Sequence, residues 1–347
     1  MSQILRVAQI GAGQWGQNLL RNLASCPDVK LAAICDSSKK GLEDAAKRYP
    51  EVRQYSDIAD VLADKSIDAV VIATPSGMHF EHAHRALAAG KHAFVEKPLA
   101  HTTEEAVTLA DKAEQAGLAL MVGHTFLFNN VVHEVKKYID SGELGEIYYA
   151  YSQRLNLGRF RSDSNVMWTL APHDVSILNY WFDGLPEKVS ARGHTYIHKT
   201  SEVAEICYAQ LDYPGGRNAH LHLSWLDPQK RREMVVVGSK KMLVYDDMSS
   251  DAHIRLYDKS AEAHHQSAIA DFTDFTTRLR AGDLVVPKTR LVEPLSVEIT
   301  HFAKCCIENE VPRTSGRHAV EVIAVLEALE RSMSNDGATY DVERRAA

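Results

Sequence analysis

Cysteine is scarce in this chain and poorly placed for cross-linking. The five residues, Cys26, Cys35, Cys207, Cys305 and Cys306, make no CxxC pair and no metal-ligand spacing, and an odd number cannot complete a disulfide framework. They read as buried thiols in a reducing compartment, and no metal is expected. Nowhere do 18 apolar residues follow one another, and the opening MSQ runs into a strand-like segment without the apolar stretch of an export signal. Neither a membrane span nor a leader is therefore expected, and the expected location is cytoplasmic. An excess of positive charge is also missing. A formal net charge of −7 gives no attraction to nucleic acid or to an anionic membrane, so an anionic ligand has to be held by a local set of donors. Repeats and low-complexity tracts are absent.

What is present is a globular composition, 45% hydrophobic and 24% charged, over 347 residues. That length suits two domains better than one core. From Leu5 to about Gly123, β-branched runs alternate with helical patterns: 6–10, 31–35, 69–74, 92–96 and 118–122. This is the pattern of a doubly wound parallel sheet. Thr102 with Glu105 has capping-box spacing and opens a helix that ends near Gly117. After Gly123 the pattern changes. A helix at about 129–141 precedes strand candidates at 146–154, 187–197, 203–213, 217–226, 232–238, 241–246 and 252–258, with Pro214-Gly215-Gly216 as a hairpin signal. Helices are expected at about 265–281, 293–308 and 315–333. The expected architecture is an α/β Rossmann domain, 1–124, followed by an α+β domain, 125–347, built on a large open, mainly antiparallel sheet. In the strand from Asn218, residues Ala219, Leu221, Leu223 and Trp225 share one face, while Asn218, His220, His222 and Ser224 share the other. The second face is then free for a ligand or a partner subunit.

The first strand runs through Gly11-Ala12-Gly13-Gln14-Trp15-Gly16 into a helix. In this GxGxxG the first glycine permits the tight turn, the second admits a pyrophosphate and the third lets helix and strand pack closely. The helix N-terminus then receives the phosphate charge. The second strand ends at Asp36, 20 residues after Gly16, where a carboxylate accepts the adenosine ribose hydroxyls and repels a 2′-phosphate. The expected cofactor is NAD. Lys39 and Lys40 lie close by and are cations able to offset a phosphate; their plainer reading is a solvated helix start.

The run Ala73-Thr74-Pro75-Ser76-Gly77-Met78-His79, then Gly90-Lys91-His92, then Glu96-Lys97-Pro98 at a strand end, resembles the Gfo/Idh/MocA family of sugar and cyclitol oxidoreductases. The resemblance covers nearly the whole chain, and EKP is its most specific piece. It implies a nicotinamide resting over the strand ends, with Lys97 touching cofactor ribose and substrate oxygen and a cis peptide before Pro98. It also implies a cofactor shell of Gly11, Gly13, Gln14, Trp15, Gly16, Asp36, Ser37, Thr74, Pro75, Ser76, His79, Glu96, Lys97 and His124. Oxidising a secondary alcohol needs a base for the hydroxyl proton and a donor for the developing oxygen charge. Lys97 is the donor candidate, and the resemblance makes His173, in WTLAPHDVSIL, the base. Relatives commonly carry an aspartate four residues before that histidine, on the same helix face. Here Thr169 stands there and cannot act as a carboxylate, while Asp174 points about 100° away. Asp163 and Asn165 are alternative partners of His173 from the preceding loop.

The segment from Arg154 through Arg159 and Arg161 to Val166, read as a loop, resembles the branch of the family that handles nucleotide sugars. Three arginines in eight residues suit a diphosphate; the plainer reading is a solvated loop. The implied substrate shell is Arg154, Arg159, Arg161, Asp163, Asn165, Trp168, Thr169 and His173. The implied reaction is oxidation of a secondary hydroxyl, at the sugar 3-position, of a nucleotide sugar such as UDP-N-acetylglucosamine, with an aminotransferase downstream. A dehydrogenase of free sugars or inositols is the alternative within the class. A non-catalytic dinucleotide- and sugar-sensing regulator is the alternative outside it. His79, His82 and His84 are crowded but lack acidic or thiol co-ligands for a metal. His220 and His222, on the open sheet face, suit a homodimer or homotetramer interface, although His194, His198, His264 and His265 show that the chain is simply rich in histidine.

Overall fold

The computed structural model describes residues 4–162, 164–200, 203–264 and 276–343. The chain divides into two compact units, and the division falls within one helix. The first contains the residues up to Phe128, Val292–Glu327 and Glu343; the second contains Asn129–Leu291 and Ala328–Val342.

The first unit holds a six-stranded sheet in the order β3-β2-β1-β4-β5-β6, every pair parallel. Its strands are β1 (Leu5–Ile10), β2 (Val29–Cys35), β3 (Arg53–Tyr55), β4 (Ala69–Ile72), β5 (His92–Val95) and β6 (Leu120–Val122). β4 and β6 are buried throughout, which is why they read as continuous apolar runs rather than alternating ones. The helices between them are α1 (Gly16–Ser25), α2 (Lys39–Arg48), α3 (Ile58–Ala63), α4 (His79–Ala88) and α5 (Thr103–Ala116). Thr102 caps α5 by accepting from Glu105 N, and Gly117 closes it in the left-handed region, φ 63°.

The boundary at 124/125 needs correction on its C-terminal side. Helix α8 (Pro294–Glu308) and the first part of α9 (Gly316–Met333) belong to this unit. The cause is apolar: Leu295, Ile299, Phe302, Ala303 and Cys306 of α8 join Leu5, Val7, Leu19, Leu23 and Phe94 in one buried cluster.

The second unit holds a nine-stranded sheet, β14-β13-β12-β11-β7-β10-β9-β8-β15. Its strands are β7 (Ile147–Leu157), β8 (Lys188–His194), β9 (Ile206–Asp212), β10 (Asn218–Ser224), β11 (Leu226–Gly238), β12 (Met242–Asp246), β13 (Ile254–His264), β14 (Thr276–Val285) and β15 (Tyr340–Asp341). Helices α6 (Asn130–Asp140) and α7 (Val166–Phe182) pack on it. The sheet is mainly antiparallel, with one exception: β7 and β10 run parallel, Ala150 opposite Ala219. The chain leaves β7 through α7 and returns by the β8-β9-β10 meander, which brings β10 back in the direction of β7.

The helix expected over 265–281 is not borne out where it can be seen. Residues 276–281 are part of β14, paired antiparallel with β13, and 265–275 lie outside the described residues. Pairing with a neighbouring strand has overridden the local pattern. Along β10 the alternation holds for Ala219, Leu221 and Leu223, all buried, but Ser224 is buried on the face expected to be polar. Its Oγ accepts from Leu226 N at 2.9 Å.

Candidate active site

In the first unit the glycine turn joins β1 to α1. Gly11 sits at φ 96°, and a Cβ there would meet Ala73 O at 2.5 Å, while one on Gly16 would meet Gly11 O at 2.4 Å. Glycine is obligatory at both positions. A Cβ on Gly13 would meet nothing within 4 Å, and α1 begins at Trp15 and Gly16 without a side-chain cap. An open backbone surface at a helix start without a side-chain cap is what a pyrophosphate requires. A cavity of about 500 Å³ lies alongside, lined by Ala12, Gly13, Gln14 and Gln17 and by Gly41, Asp44, Lys47 and Arg48 of α2. Asp36, at the end of β2, accepts from Ala12 N at 2.6 Å and Ser38 N at 2.7 Å. These bonds fix the carboxylate and leave lone pairs for ribose hydroxyls. Ser37 is exposed beside it, and Lys39 and Lys40 open α2 in solvent. The residues present therefore fit NAD.

The EKP turn follows β5. The Lys97–Pro98 peptide is cis. Glu96 is buried; its Oε1 accepts from Trp15 Nε1 at 2.5 Å and its Oε2 from Lys97 N at 3.3 Å. Burial pushes its carboxyl up to about 7, against the pull of the Trp15 donor and the Lys97 charge. Trp15 and Glu96, both expected in the cofactor shell, thus bind each other, although the Trp15 ring stays half exposed. Thr74, Pro75 and Ser76 lie on the β4–α4 turn, and Ser76 Oγ meets His101 Nε2 at 3.1 Å. His79, also expected in the cofactor shell, sits between the EKP turn and the β4 turn. Its Nδ1 lies 2.7 Å from Pro98 O and its Nε2 2.8 Å from Thr74 O; burial lowers its pKa, so the neutral, buried ring donates to one of these two carbonyls. His124, at the end of β6, is fully buried with its ring against His318 of α9, centroids 5.1 Å apart. Burial, the neighbouring His318 and the Lys97 charge hold it well below the usual imidazole range.

In the second unit α7 carries Trp168, Thr169 and His173. Asn165 caps it, Oδ1 accepting from Trp168 N at 3.0 Å, and its Nδ2 donates to Glu330 Oε2 at 2.8 Å. Trp168 Nε1 donates to the same oxygen at 3.1 Å. Both expected substrate ligands are therefore tied to α9. Thr169 Oγ1 donates back to Asn165 O at 2.9 Å, a bond within the first turn of the helix. Pro172 lies inside α7 and denies the Trp168 carbonyl its intrahelical donor one residue before His173. His173 is half-buried.

Arg154 requires the clearest correction. It is not in a loop: it lies on β7 with its guanidinium gripping Asp174 of α7, Nη2–Oδ1 2.7 Å and Nε to both oxygens at 3.0 and 3.1 Å. Their side chains are 8% and 1% exposed. A cation so deeply paired does not reach an external diphosphate, which leaves Arg159 and Arg161, both exposed. Phe160 between them packs against His198 and Trp225, centroids 5.5 and 6.1 Å away. Asp163 lies outside the described residues.

Three residues escaped the sequence reading. A Cβ on Gly123 would come within 3.0 Å of Glu96 Oε2, so this glycine makes room for the buried carboxylate. Thr125 donates to Glu298 Oε2 at 2.7 Å, and Glu298 is a fully buried carboxylate of α8. The only sequence signal for Glu298 was a charge inside the apolar pattern of its helix.

A glycine turn with an uncapped helix behind it and a fixed acid at the end of β2 define a dinucleotide site that fits NAD. Residues 5–124 match the family described as "Oxidoreductase family, NAD-binding Rossmann fold", and 132–244 match the "GFO/IDH/MocA C-terminal domain". The chain belongs to the Gfo/Idh/MocA oxidoreductase family. It is similar to scyllo-inositol 2-dehydrogenase (NAD(+)) of Bacillus subtilis, 26% identical over 90% of this chain and 89% of that one. It is also 30% identical to 4-carboxy-2-hydroxymuconate-6-semialdehyde dehydrogenase of Sphingobium over 64% of this chain and 72% of the relative. Among solved structures, UDP-N-acetylglucosamine 3-dehydrogenase of Acidithiobacillus ferrooxidans shares the fold with a TM-score of 0.78 at 22% identity, covering 96% of this chain and 98% of that one.

Proposed function

We propose that this oxidoreductase oxidises a secondary hydroxyl of a sugar, the 3-hydroxyl of a nucleotide sugar such as UDP-N-acetylglucosamine, to a ketone. The observation that carries the nucleotide reading is the exposed pair Arg159 and Arg161 in the segment just before α7, two donors suited to a diphosphate. NAD, held by the Gly11–Gly16 turn and Asp36, supplies the hydride acceptor when bound. Lys97 donates a hydrogen bond to the substrate oxygen and stabilises its developing charge. His173 accepts the hydroxyl proton. With Thr169 spent on the helix backbone, no carboxylate one turn before His173 shares that proton.

The engagement of Arg154 with Asp174 favours a second reading, a free sugar or an inositol, because it removes one of the three cations on which diphosphate binding was argued. The full-length similarity to an inositol dehydrogenase supports the same reading. A ketone product would feed an aminotransferase. The open sheet face carrying His220 and the stacked Tyr208 and His222 rings, centroids 4.6 Å apart, suits a second copy of the chain.

The test is a rise in NADH absorbance on mixing the protein with NAD and UDP-N-acetylglucosamine, with a transaminase drawing off the ketone. No rise removes the nucleotide-sugar assignment, and UDP that fails to inhibit turnover of a free sugar or inositol establishes the second reading. Lys97→Ala and His173→Ala each lower turnover by about a hundredfold or more; losses within about threefold remove these roles.

A further inference from the structure

The EKP turn has a second buried carboxylate behind it. Glu96 and Glu298 both lie against the short stretch that leaves β6. Glu96 crowds Gly123, its Oε2 3.0 Å from where a Cβ would stand, and Glu298 receives the Thr125 hydroxyl at 2.7 Å. Two ionised carboxylates do not share one dry site, because each raises the cost of charging the other. The hydrogen bonds decide which one takes the proton. Glu96 has two N–H donors, from the Trp15 indole and the Lys97 backbone, together with the Lys97 charge. Glu298 is 0% exposed and has one donor, at Oε2; among the described residues its Oε1 has no hydrogen-bond partner. An ionised carboxylate with a bare buried oxygen is the costlier state.

We propose that Glu298 is held as a neutral acid protonated at Oε1, so that the negative charge of this buried pair of acids sits on Glu96, beside Lys97. The proposal rests on the assignment of Lys97 to the substrate oxygen. His124, just after β6, and His318 of α9 are kept neutral by burial, His318 being pushed down to about 4. Arg21 of α1 and Glu293 pair with each other at the exposed start of α8, and His301, one turn beyond Glu298, faces Cys305 and accepts from Arg313 N. Burial and the Glu96 charge raise the Glu298 carboxyl well above its usual value. The two acids then titrate in separate steps, Glu96 first, at about 7.

The proton is located by infrared difference spectroscopy of the whole protein above the pH at which Glu96 ionises. The wild type shows the carbonyl stretch of a protonated carboxylic acid, Glu298→Gln loses it and Glu96→Gln keeps it. This readout does not depend on activity, so it stands even if the role of Lys97 fails. The charge is located by the alkaline limb of kcat/KM. Glu96→Gln removes the Glu96 charge from beside Lys97 and moves that limb down by roughly one to three pH units. Glu298→Gln replaces a neutral group by a neutral group and leaves the limb in place. A limb that moves down in Glu298→Gln, a wild type without the acid band, or a band that survives Glu298→Gln overturns the proposal. An alkaline limb that persists in Lys97→Ala instead overturns the role of Lys97, and leaves the infrared result to be judged separately.

Discussion

Asp174→Ala tests whether the Arg154–Asp174 pair holds α7 to the sheet or serves a ligand. The substitution leaves a guanidinium whose side chain is 8% exposed, with three charge-assisted contacts of 2.7 to 3.1 Å removed. Breaking one partner of such a pair costs about 3–5 kcal/mol, whereas replacing both with apolar residues of similar volume is about neutral. Asp174→Ala and Arg154→Leu are therefore each strongly destabilising, and Arg154→Leu combined with Asp174→Leu recovers most of the loss. Three of the four tryptophans, Trp168, Trp181 and Trp225, lie in the second unit, so tryptophan fluorescence during urea unfolding reports chiefly on that unit. With a urea slope of about 1–3 kcal/mol per molar, the midpoint of each single variant falls by about 1 M or more. The recovered double variant retains any inhibition by UDP that the wild type shows. Single variants that lose less than about 1 kcal/mol, or a double variant that loses the sum of both, would refute the structural role. A double variant that folds well but no longer responds to UDP would return Arg154 to the substrate.

Gly13→Ala meets no protein atom within 4 Å, so it leaves apo stability within about 0.5 kcal/mol of wild type while weakening NAD binding in a calorimetric titration. Gly11→Ala, 2.5 Å from Ala73 O at φ 96°, destabilises the unliganded protein itself; equal melting temperatures for the two variants would refute the distinction. His79→Leu removes the one hydrogen bond that the neutral ring donates to the Thr74 or Pro98 carbonyl and costs about 1–3 kcal/mol for the carbonyl left dry, measured by thermal unfolding; a silent substitution would show that the histidine does not hold the EKP turn. Burial pushes His318 down to about 4, below an unfolded value near 6.5. The unfolded state binds the proton first, so the stability this residue contributes is present above about pH 6.5 and is lost as the pH falls toward 4, by about 3 kcal/mol at most. His318→Phe flattens that part of the stability–pH curve; an unchanged slope would mean that the ring is already charged in the fold.

What was legible in the sequence was local. The glycine turn, Asp36 at the end of β2 and the capping of α5 each follow from a few consecutive residues whose chemistry is decided before any tertiary contact forms. β14 and the parallel β7–β10 pair were not legible, because strand pairing between distant segments decided them. The membership of α8 in the first unit was hidden for the same reason: its apolar stripe names no partner. The misreading of Arg154 is more instructive. Arg154, Arg159 and Arg161 look alike in sequence, yet only the first lies at a buried position of a strand. The missing clue was on the other side of the pair. Asp174 sits in Val-Met-Trp-Thr-Leu-Ala-Pro-His-Asp-Val-Ser-Ile-Leu, a helix apolar nearly all round, and a carboxylate on such a helix is almost never buried unless something pairs with it. That rule calls for a buried cation, and Arg154 was the cation within reach. Glu298 breaks an apolar pattern in the same way, within Leu-Ser-Val-Glu-Ile-Thr-His-Phe-Ala, but the neighbour the fold brings to it is another acid. The first helix meets its stray charge with an arginine and the second with the Thr125 hydroxyl and a second acid nearby, and no pattern in the sequence distinguishes the two until the fold has chosen the neighbour.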